Sequence, residues 1–133
     1  MSLPERIEEI IREKLYRCLH REVPHSITQV NRVLKKGIIK KNGRHDGSGR
    51  RKVLRIDQDI IVRTKSHYKL VMGRAGMTLN RIQDTARRDL LNILQEEEEI
   101  NDIFLTLHVK LSRSQRHERN LESEREGVIQ RTF

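Results

Sequence analysis

The chain has 133 residues, which is enough for one domain and not comfortably for two. It carries 28 Lys and Arg against 19 Asp and Glu, so its formal net charge of +9 favours a polyanionic partner, nucleic acid or an anionic membrane. With no Trp, two Phe and two Tyr, the composition disfavours a binding mode built on rows of stacking aromatic residues.

Residues 4–22 predict a first helix. Pro4 suits the first helical turn. The only cysteine, Cys18, lies on the apolar stripe, so we expect a buried thiol rather than a reactive one; a single cysteine also excludes an internal disulfide and a cysteine-rich zinc site. The N-terminus has no apolar signal core, so we expect either an untargeted chain or a targeting segment outside this sequence. The stripe, at helical spacing, consists of Ile7, Ile10, Ile11, Leu15, Cys18 and Leu19.

The next segment predicts a strand followed by a basic loop. Residues 25–34 are rich in β-branched residues, but their register is ambiguous, because Ile27 and Val33 fall on one face while Val30 and Leu34 fall on the other. Residues 35–52 hold four glycines and eight basic residues, and we expect a mobile loop with no core of its own. Two interpretations stay open, a solvated linker or an electrostatic arm for phosphates. The second assigns phosphate contacts to Lys40, Lys41, Arg50 and Arg51.

Two further strands show clear alternation of apolar and polar residues. Residues 53–64 predict a strand whose buried face is interrupted only by Gln58, and residues 103–111 predict a third strand. Residues 112–133 are polar, and we expect a tail that is disordered or becomes helical on a partner. No stretch approaches about 18 consecutive apolar residues, so we expect no membrane-spanning segment. The apolar face of the second strand is Leu54, Ile56, Ile60 and Val62.

Two helices lie between these strands. Residues 66–72 predict a short helix with Ser66 as its N-cap, and residues 77 to about 94 predict a longer one. The acids within 95–99 are interpreted as a solvated stop to that helix and not as a metal site, since adjacent acids do not converge on one point. The apolar face of the long helix is Leu79, Ile82, Ala86, Leu90 and Ile93. The whole order predicts an α+β fold in two layers, with a three-stranded sheet packed against three helices.

The junction between the two helices is the most informative motif. Gly73 and Gly76 stand three residues apart with Arg74 between them, and the long helix begins directly afterwards. Two glycines let another backbone approach closely, the arginine can neutralise a phosphate, and the helix N-terminus presents amides to the same place. This combination suits the sugar–phosphate backbone of a single strand, with bases over a neighbouring apolar groove. The basic residues near the junction are Lys65, Lys69, Arg74 and Arg81.

The stretch VMGRAGMTLNRI resembles the signature of KH domains, whose G-x-x-G loop clamps about four nucleotides. With a helix and two strands before the motif, the order αββααβ is that of a type II KH fold. The opening IIREKLYRCLHREVPHSI resembles the KH domain of the Era family of GTPases, and KSHYKLVMGRAG is similar to its mitochondrial members. The resemblance covers roughly residues 5–111. It implies a type II KH domain over 4–111, with 35–52 as a basic insertion and 112–133 as a tail.

The resemblance also implies a function. Era KH domains bind the 3′ end region of small-subunit ribosomal RNA during subunit assembly, so the implied partner is the small ribosomal subunit or its precursor, in the mitochondrial matrix, with a GTPase domain in cis or in trans and no cofactor. The backbone clamp carries over to Gly73, Arg74, Ala75 and Gly76. Helix and groove positions, some of them purely core, carry over to Val71, Met72, Leu79 and Ile82.

Departures from the family keep alternatives open. No G-x-x-x-x-G-K-[ST] loop occurs in the sequence, so we expect no GTP hydrolysis from this chain, which is either an excised domain or a natural KH-only relative. The six histidines are scattered over different elements and form no recognisable catalytic set. His67, beside the clamp, is the histidine to test for a functional role. A permanent component of a small ribosomal subunit shares the same fold. A helix-turn-helix DNA-binding protein is disfavoured, because Asp84 and Asp89 interrupt the basic residues of the long helix.

Overall fold

Six regular elements form from the segments whose apolar residues recur at strand or helix spacing. The computed structural model describes residues 1–19, 23–40 and 50–112, except for the side chain at position 40. In chain order the elements are α1 (Leu3–Cys18), β1 (Thr28–Lys40), β2 (Arg50–Val62), α2 (Lys65–Met72), α3 (Met77–Glu98) and β3 (Asp102–Leu111), with short 3₁₀ turns at Pro24–Ser26 and Arg74–Gly76. The predicted α+β fold class and the order αββααβ are confirmed.

The sheet has the order β1-β2-β3, in which β1 and β2 are antiparallel and β2 and β3 are parallel. The central strand has the alternation predicted for it: Leu54, Ile56, Ile60 and Val62 are all fully buried. Gln58 is fully buried on the same face and is not left unsatisfied, because two polar side chains of β1 reach it. Gln29 donates to Gln58 Oε1 at 2.9 Å, and Gln58 Nε2 donates to Asn31 Oδ1 at 2.8 Å.

The three helices pack on one face of this sheet and share one apolar core with it. Lys14 of α1 is the buried cation of this layer, and it pairs with Asp89 of α3. The other face of the sheet carries no described helix, and its side chains are mostly half-buried or exposed. The core consists of Ile7, Ile11, Leu15, Val23, Leu54, Ile56, Ile60, Val62, Val71, Ile82, Ala86, Leu90, Leu94, Ile100, Ile103, Leu105 and Leu107.

Two predicted helix ends are wrong, for local reasons. The first helix ends at Cys18 rather than at 22, because Leu19 is already extended with φ −120° and ψ 155°. Cys18 is half-buried rather than buried. The N-cap of α2 is Thr64, whose Oγ1 accepts a hydrogen bond from the backbone N–H of His67 at 3.0 Å, so Ser66 lies inside the helix. Residues 20–22 lie outside the described part of the chain.

The acids at the end of α3 do not stop the helix. The helix runs through Glu98, and Glu99 follows in the left-handed conformation. Acids at a helix C-terminus are disfavoured by the macrodipole, but here three cations from other elements compensate. The pairs are Arg6 with Glu97, Lys36 with Glu98 at 2.9 Å, and Lys52 with Glu99 at 3.5 Å.

Half of the predicted basic loop, residues 35–40 and 50–52, is strand. β1 continues to Lys40 and β2 begins at Arg50, with Lys40 opposite Arg50, so only residues 41–49, including Lys41, lie outside the described residues. The ambiguous register of β1 has a simple cause, a β-bulge between Asn31 and Val33. The extra residue reverses the alternation, so Asn31 and Leu34 both face the helices.

A hydrogen bond joins the residue after β3 to the last residue of β2. The backbone N–H of Ser112 donates to the carbonyl of Val62 at 2.7 Å, and the Ser112 side chain is buried. Residues 113–133, the predicted tail, lie outside the described part of the chain. None of the helices in that described part has the length and apolar character needed to cross a membrane.

Candidate nucleic-acid interface

The turn between α2 and α3 has an unusual backbone at three of its four residues. Gly73 has φ 70° and ψ 179°, Ala75 has φ 53° and ψ 30°, and Gly76 has φ 75° and ψ 11°. α2 is closed by the Gly73 N–H, which donates to the carbonyl of Lys69 at 2.8 Å. Three positive φ values reverse the chain within four residues, of which only Arg74 has a large side chain.

The two glycines are required for different reasons. A Cβ built on Gly73 would lie 2.6 Å from Cβ and 2.8 Å from the backbone nitrogen of Thr78, with Thr78 Oγ1 closer still. The start of α3 therefore packs directly on the Gly73 backbone. A Cβ on Gly76 would meet no atom within 4 Å, so only its φ disfavours a side chain there. Gly73 fixes the angle between the helices, and Gly76 keeps the space over the turn open.

The start of α3 offers hydrogen-bond donors beside this open space. The N-cap of the helix is Gly76, which has no side chain, and no side chain caps the helix. The first amides of a helix lack intrahelical partners and carry a partial positive charge, which suits a phosphate oxygen. The first turns of α2 and α3 contain no acid. The predicted basic residues around this turn are all exposed: Lys65, Lys69, Arg74 and Arg81.

The apolar positions predicted for the groove divide into two groups. Val71 and Ile82 are fully buried, so they are among the positions expected to be purely core, and the Val71 side chain anchors α2. Met72 and Leu79 are half-buried and border the turn. The structure adds exposed apolar side chains that the motif does not specify, of which Met77 is 66% exposed. The others on the same two helices are Tyr68 and Leu70.

Beyond the turn, α3 runs beside the free edge of β3, and polar side chains join the two. Gln83 Oε1 accepts a hydrogen bond from the backbone N–H of Leu107 at 3.0 Å, and Arg87 Nε donates to the carbonyl of Ile103 at 2.8 Å. The apolar groove expected from the sequence is therefore confined to the neighbourhood of the turn. No sequence pattern indicated these two contacts, because they depend on how α3 lies over the edge strand.

The basic residues of the hairpin lie far from this turn. Arg50 and Arg51 begin β2 at the end of the sheet where α3 terminates, whereas the turn is where α3 starts. Since α3 has 22 residues, the two regions are separated by about 33 Å. The structure therefore does not bring Arg50, Arg51 and the backbone of Lys40 to the turn; Lys41 lies outside the described residues.

The contacts of His67 hold two elements together and are not those of a catalytic base. Its Nδ1 lies 3.1 Å from Ser26 Oγ, and the same hydroxyl donates to the carbonyl of Val23 at 3.0 Å. A hydroxyl has one proton, so donation to Val23 leaves His67 Nδ1 as the donor to Ser26. This arrangement ties the start of α2 to the 3₁₀ turn after α1, and it does not activate Ser26 as a nucleophile.

The chain is similar to known GTPases over most of its length. No family model matches it. It is 33% identical over 125 residues to GTPase Era of Caulobacter vibrioides, which covers 92% of this chain and 34% of that protein. It is 36% identical over 103 residues to GTPase Era of Mesorhizobium japonicum, covering 77% of this chain and 28% of that protein. The chain thus spans about a third of the length of these relatives.

Solved structures agree with this similarity. A crystal structure of Era in complex with MgGDPNP and nucleotides 1506–1542 of 16S ribosomal RNA matches with a TM-score of 0.62 and 26% identity, covering 90% of this chain and 35% of that chain. A crystal structure of a point variant of Aquifex aeolicus Era bound to GDP·AlF4⁻ matches with a TM-score of 0.60 and 27% identity, covering 90% and 36%. The three-stranded sheet with its helices is therefore the fold of one third of those chains.

Proposed function

We propose that this chain, which is homologous to part of the Era GTPases over about nine-tenths of its length, binds single-stranded RNA at the turn between α2 and α3. The observation that carries the proposal is the backbone of Gly73–Gly76. It leaves open space over Gly76 at the N-terminus of α3, which no side chain caps, and Arg74 is exposed beside it. A sugar–phosphate backbone fits such a site, and about four nucleotides fill it.

The bases of the bound strand would lie on the apolar side chains next to the turn. Met72 and Leu79 border it, and Met77 is exposed at the first position of α3. Past this region Gln83 and Arg87 replace apolar contacts by polar ones, which supports a short bound segment. Val71 and Ile82 support the two helices from the core and take no part in binding.

We further propose that the RNA is the 3′ end region of small-subunit ribosomal RNA, and that binding serves small-subunit assembly. Two observations support this target, the homology to GTPase Era and the similarity to an Era structure that contains nucleotides 1506–1542 of 16S ribosomal RNA. The chain itself acts in this proposal as an RNA-binding module and not as the enzyme. A GTPase domain in cis or in trans would supply nucleotide hydrolysis. A purified chain that hydrolysed GTP above the buffer rate would contradict this assignment.

The deciding experiment compares two variants with the same change in charge. Arg74→Asp/Ala75→Asp places two acids in the turn; aspartate tolerates the left-handed conformation of position 75. Arg12→Asp/Asn92→Asp makes the same change of −3 at exposed positions on α1 and on the distal part of α3. Fluorescence anisotropy with RNA matching the 3′ end of small-subunit ribosomal RNA should show lost binding for the first variant and a small effect for the second.

The outcomes of this comparison separate the parts of the proposal. Equal weakening by both variants would mean that net charge and not the turn carries the affinity. A folded turn variant that binds like the wild type would exclude the turn as the site. Preference for the ribosomal sequence over a scrambled RNA tests the target independently. If about five phosphates are neutralised, log K should fall with log salt with a slope of roughly −3.5, and a slope near zero would contradict the electrostatic account.

The cellular role has its own tests. An assembly factor should sediment with precursors of the small subunit, whereas a permanent component should sediment with the mature subunit. We propose the mitochondrial matrix as the location, on the resemblance of KSHYKLVMGRAG to mitochondrial Era-like proteins. Imaging of the tagged full-length protein would test this. Preference for duplex DNA over single-stranded RNA would instead favour the helix-turn-helix alternative.

A further inference from the structure

The face of the sheet that points away from the helices carries a group of basic and aromatic side chains that the proposed site does not use. Strand pairing places Lys35 opposite Arg55, and Arg55 opposite Phe104, so these three residues form one row across all three strands. Arg51 lies four residues before Arg55 on the same face, about 13 Å along the strand, since residues at spacing two share a face. We call Lys35, Arg51, Arg55 and Phe104 the outer patch.

The acids of the outer face are already neutralised. Asp59 lies 3.0 Å from Lys110 and 3.6 Å from Arg32, and Asp57 is 3.0 Å from Arg55. These pairs use every acid at the middle of this face. The third acid, at the start of β3, pairs with a cation of α3 at 2.6 Å. Among the described residues, the outer face therefore has no acid left to balance further cations.

Two cations of the patch remain without an acid. Within the described ranges neither Lys35 nor Arg51 forms an ion pair, and Lys35 stands directly opposite another cation, Arg55. Arg55 itself is paired with Asp57, so Lys35 and Arg51 are the unbalanced charges of the patch. The charge of the patch is therefore complementary to a phosphate backbone rather than to a neutral surface.

Phe104 gives the patch its second chemical feature. Its side chain is 50% exposed, in a strand whose other outward positions, Thr106, His108 and Lys110, are polar. An exposed aromatic ring beside a guanidinium group offers a nucleic-acid base a face on which to stack. The ring lies next to the free edge of β3, the same edge that α3 follows from the clamp. An RNA strand that leaves the clamp can cross this edge of the sheet to reach the ring.

We propose that the outer patch is a second contact for the same single-stranded RNA, with one base stacked on Phe104 and phosphates beside Lys35 and Arg51. This inference rests on the proposed binding at the GRAG turn. Arg87 of α3 contacts the strand next to Phe104 and lies ten residues after Met77, so the patch begins about 15 Å from the clamp at Phe104 and extends to Arg51, about 33 Å from the clamp. A tetranucleotide fills only the clamp. A longer RNA fills both sites and binds more tightly.

The test measures the affinity of two single-stranded RNAs, a tetranucleotide and a dodecanucleotide, for matched variants. Phe104→Leu keeps an apolar side chain and removes the stacking face. It should weaken dodecanucleotide binding about tenfold and leave the tetranucleotide unchanged. Ile38→Ala is the control for loss of exposed apolar surface, because Ile38 is 61% exposed on the opposite face of the hairpin. It should change neither affinity.

The electrostatic part of the proposal has a control in the lysines that directly follow Lys35 and Arg51 in β1 and β2. Lys35→Ala/Arg51→Ala should reduce the salt slope for the dodecanucleotide by about 1.4, from two contacts of about 0.7 each. Lys36→Ala/Lys52→Ala removes the same charge from the inner face, where these lysines pair with Glu98 and Glu99, and should leave the slope unchanged. Equal slopes for the two double variants would overturn the assignment of phosphates to the outer face.

A spectroscopic signal distinguishes stacking from a structural role of the ring. 2-Aminopurine placed in turn at each position beyond the first four nucleotides should be quenched at one position by the wild type and not by Phe104→Leu. Identical quenching in both proteins, or no gain of affinity from tetranucleotide to dodecanucleotide, would overturn the second contact. Failure of the clamp is recognised separately: the tetranucleotide would then not bind, or would bind Arg74→Asp/Ala75→Asp equally well.

Discussion

The contrast between the two glycines of the turn gives the sharpest test of this structure. Gly73→Ala places a methyl group 2.6 Å from Cβ and 2.8 Å from the backbone nitrogen of Thr78, at φ 70° and ψ 179°, a conformation essentially restricted to glycine. Backbone strain costs about 1–3 kcal/mol and overpacking costs about as much again, so we expect a loss of about 2–6 kcal/mol. Gly76→Ala meets no atom within 4 Å and should cost about 1–2 kcal/mol from its left-handed φ alone.

Urea unfolding followed by circular dichroism measures both losses, as shifts in midpoint at an unchanged slope. A second substitution makes the test stricter. Thr78→Ala removes the nearest contact atom, Oγ1, but leaves the Cβ and nitrogen contacts, so it should recover only a minor part of the loss in a Gly73→Ala background. Equal costs for the two glycine substitutions, or full recovery by Thr78→Ala, would refute the direct packing of α3 on the Gly73 backbone.

Three further substitutions test other parts of the fold, each by its free energy of unfolding. Gln58→Leu should cost about 1–3 kcal/mol, because the half-buried amides of Gln29 and Asn31 lose a hydrogen-bond partner; a neutral result would contradict these two hydrogen bonds. Lys14→Met should stay within about 1 kcal/mol, because Asp89 is 46% exposed and remains solvated, whereas Lys14→Glu should cost about 3 kcal/mol or more; equal costs would contradict this account. Ala75→Gly should stabilise by up to about 1 kcal/mol, since it relieves φ 53°, and a clear loss would argue against that conformation.

The sequence predicted those elements whose stability is local or follows from simple alternation. β2 and β3 were predictable from their alternating apolar residues, because each strand buries one face against the helices. The GRAG turn was also predictable, since glycine is the residue that its backbone angles demand. Its contact with Thr78 was not, because nothing in the spacing of the motif tells which residue of α3 packs on Gly73.

The wrong predictions for the sheet share a physical cause, contacts between residues distant in sequence. The segment 35–52 has the composition of a loop, yet residues 35–40 and 50–52 are strand, because β1 and β2 supply each other's backbone partners and Glu98 and Glu99 neutralise two of its lysines. The bulge between Asn31 and Val33 disguised the period of β1, so its inner face could not be assigned by counting. The position of Phe104 beside Arg55 likewise depends on the pairing of β2 with β3 and not on the local sequence.

The ion pairs at the end of α3 bear on the order in which the chain folds. The last turn of this helix holds acids that oppose its own macrodipole, and its compensating cations come from α1, β1 and β2. A peptide of α3 alone should therefore lose its helix near Leu94, and the final turn should form only when the hairpin and the first helix have docked. Amide hydrogen exchange at residues 95–98 thus reports tertiary assembly rather than helix formation. In a refolding experiment these amides should gain protection later than those at the middle of α3.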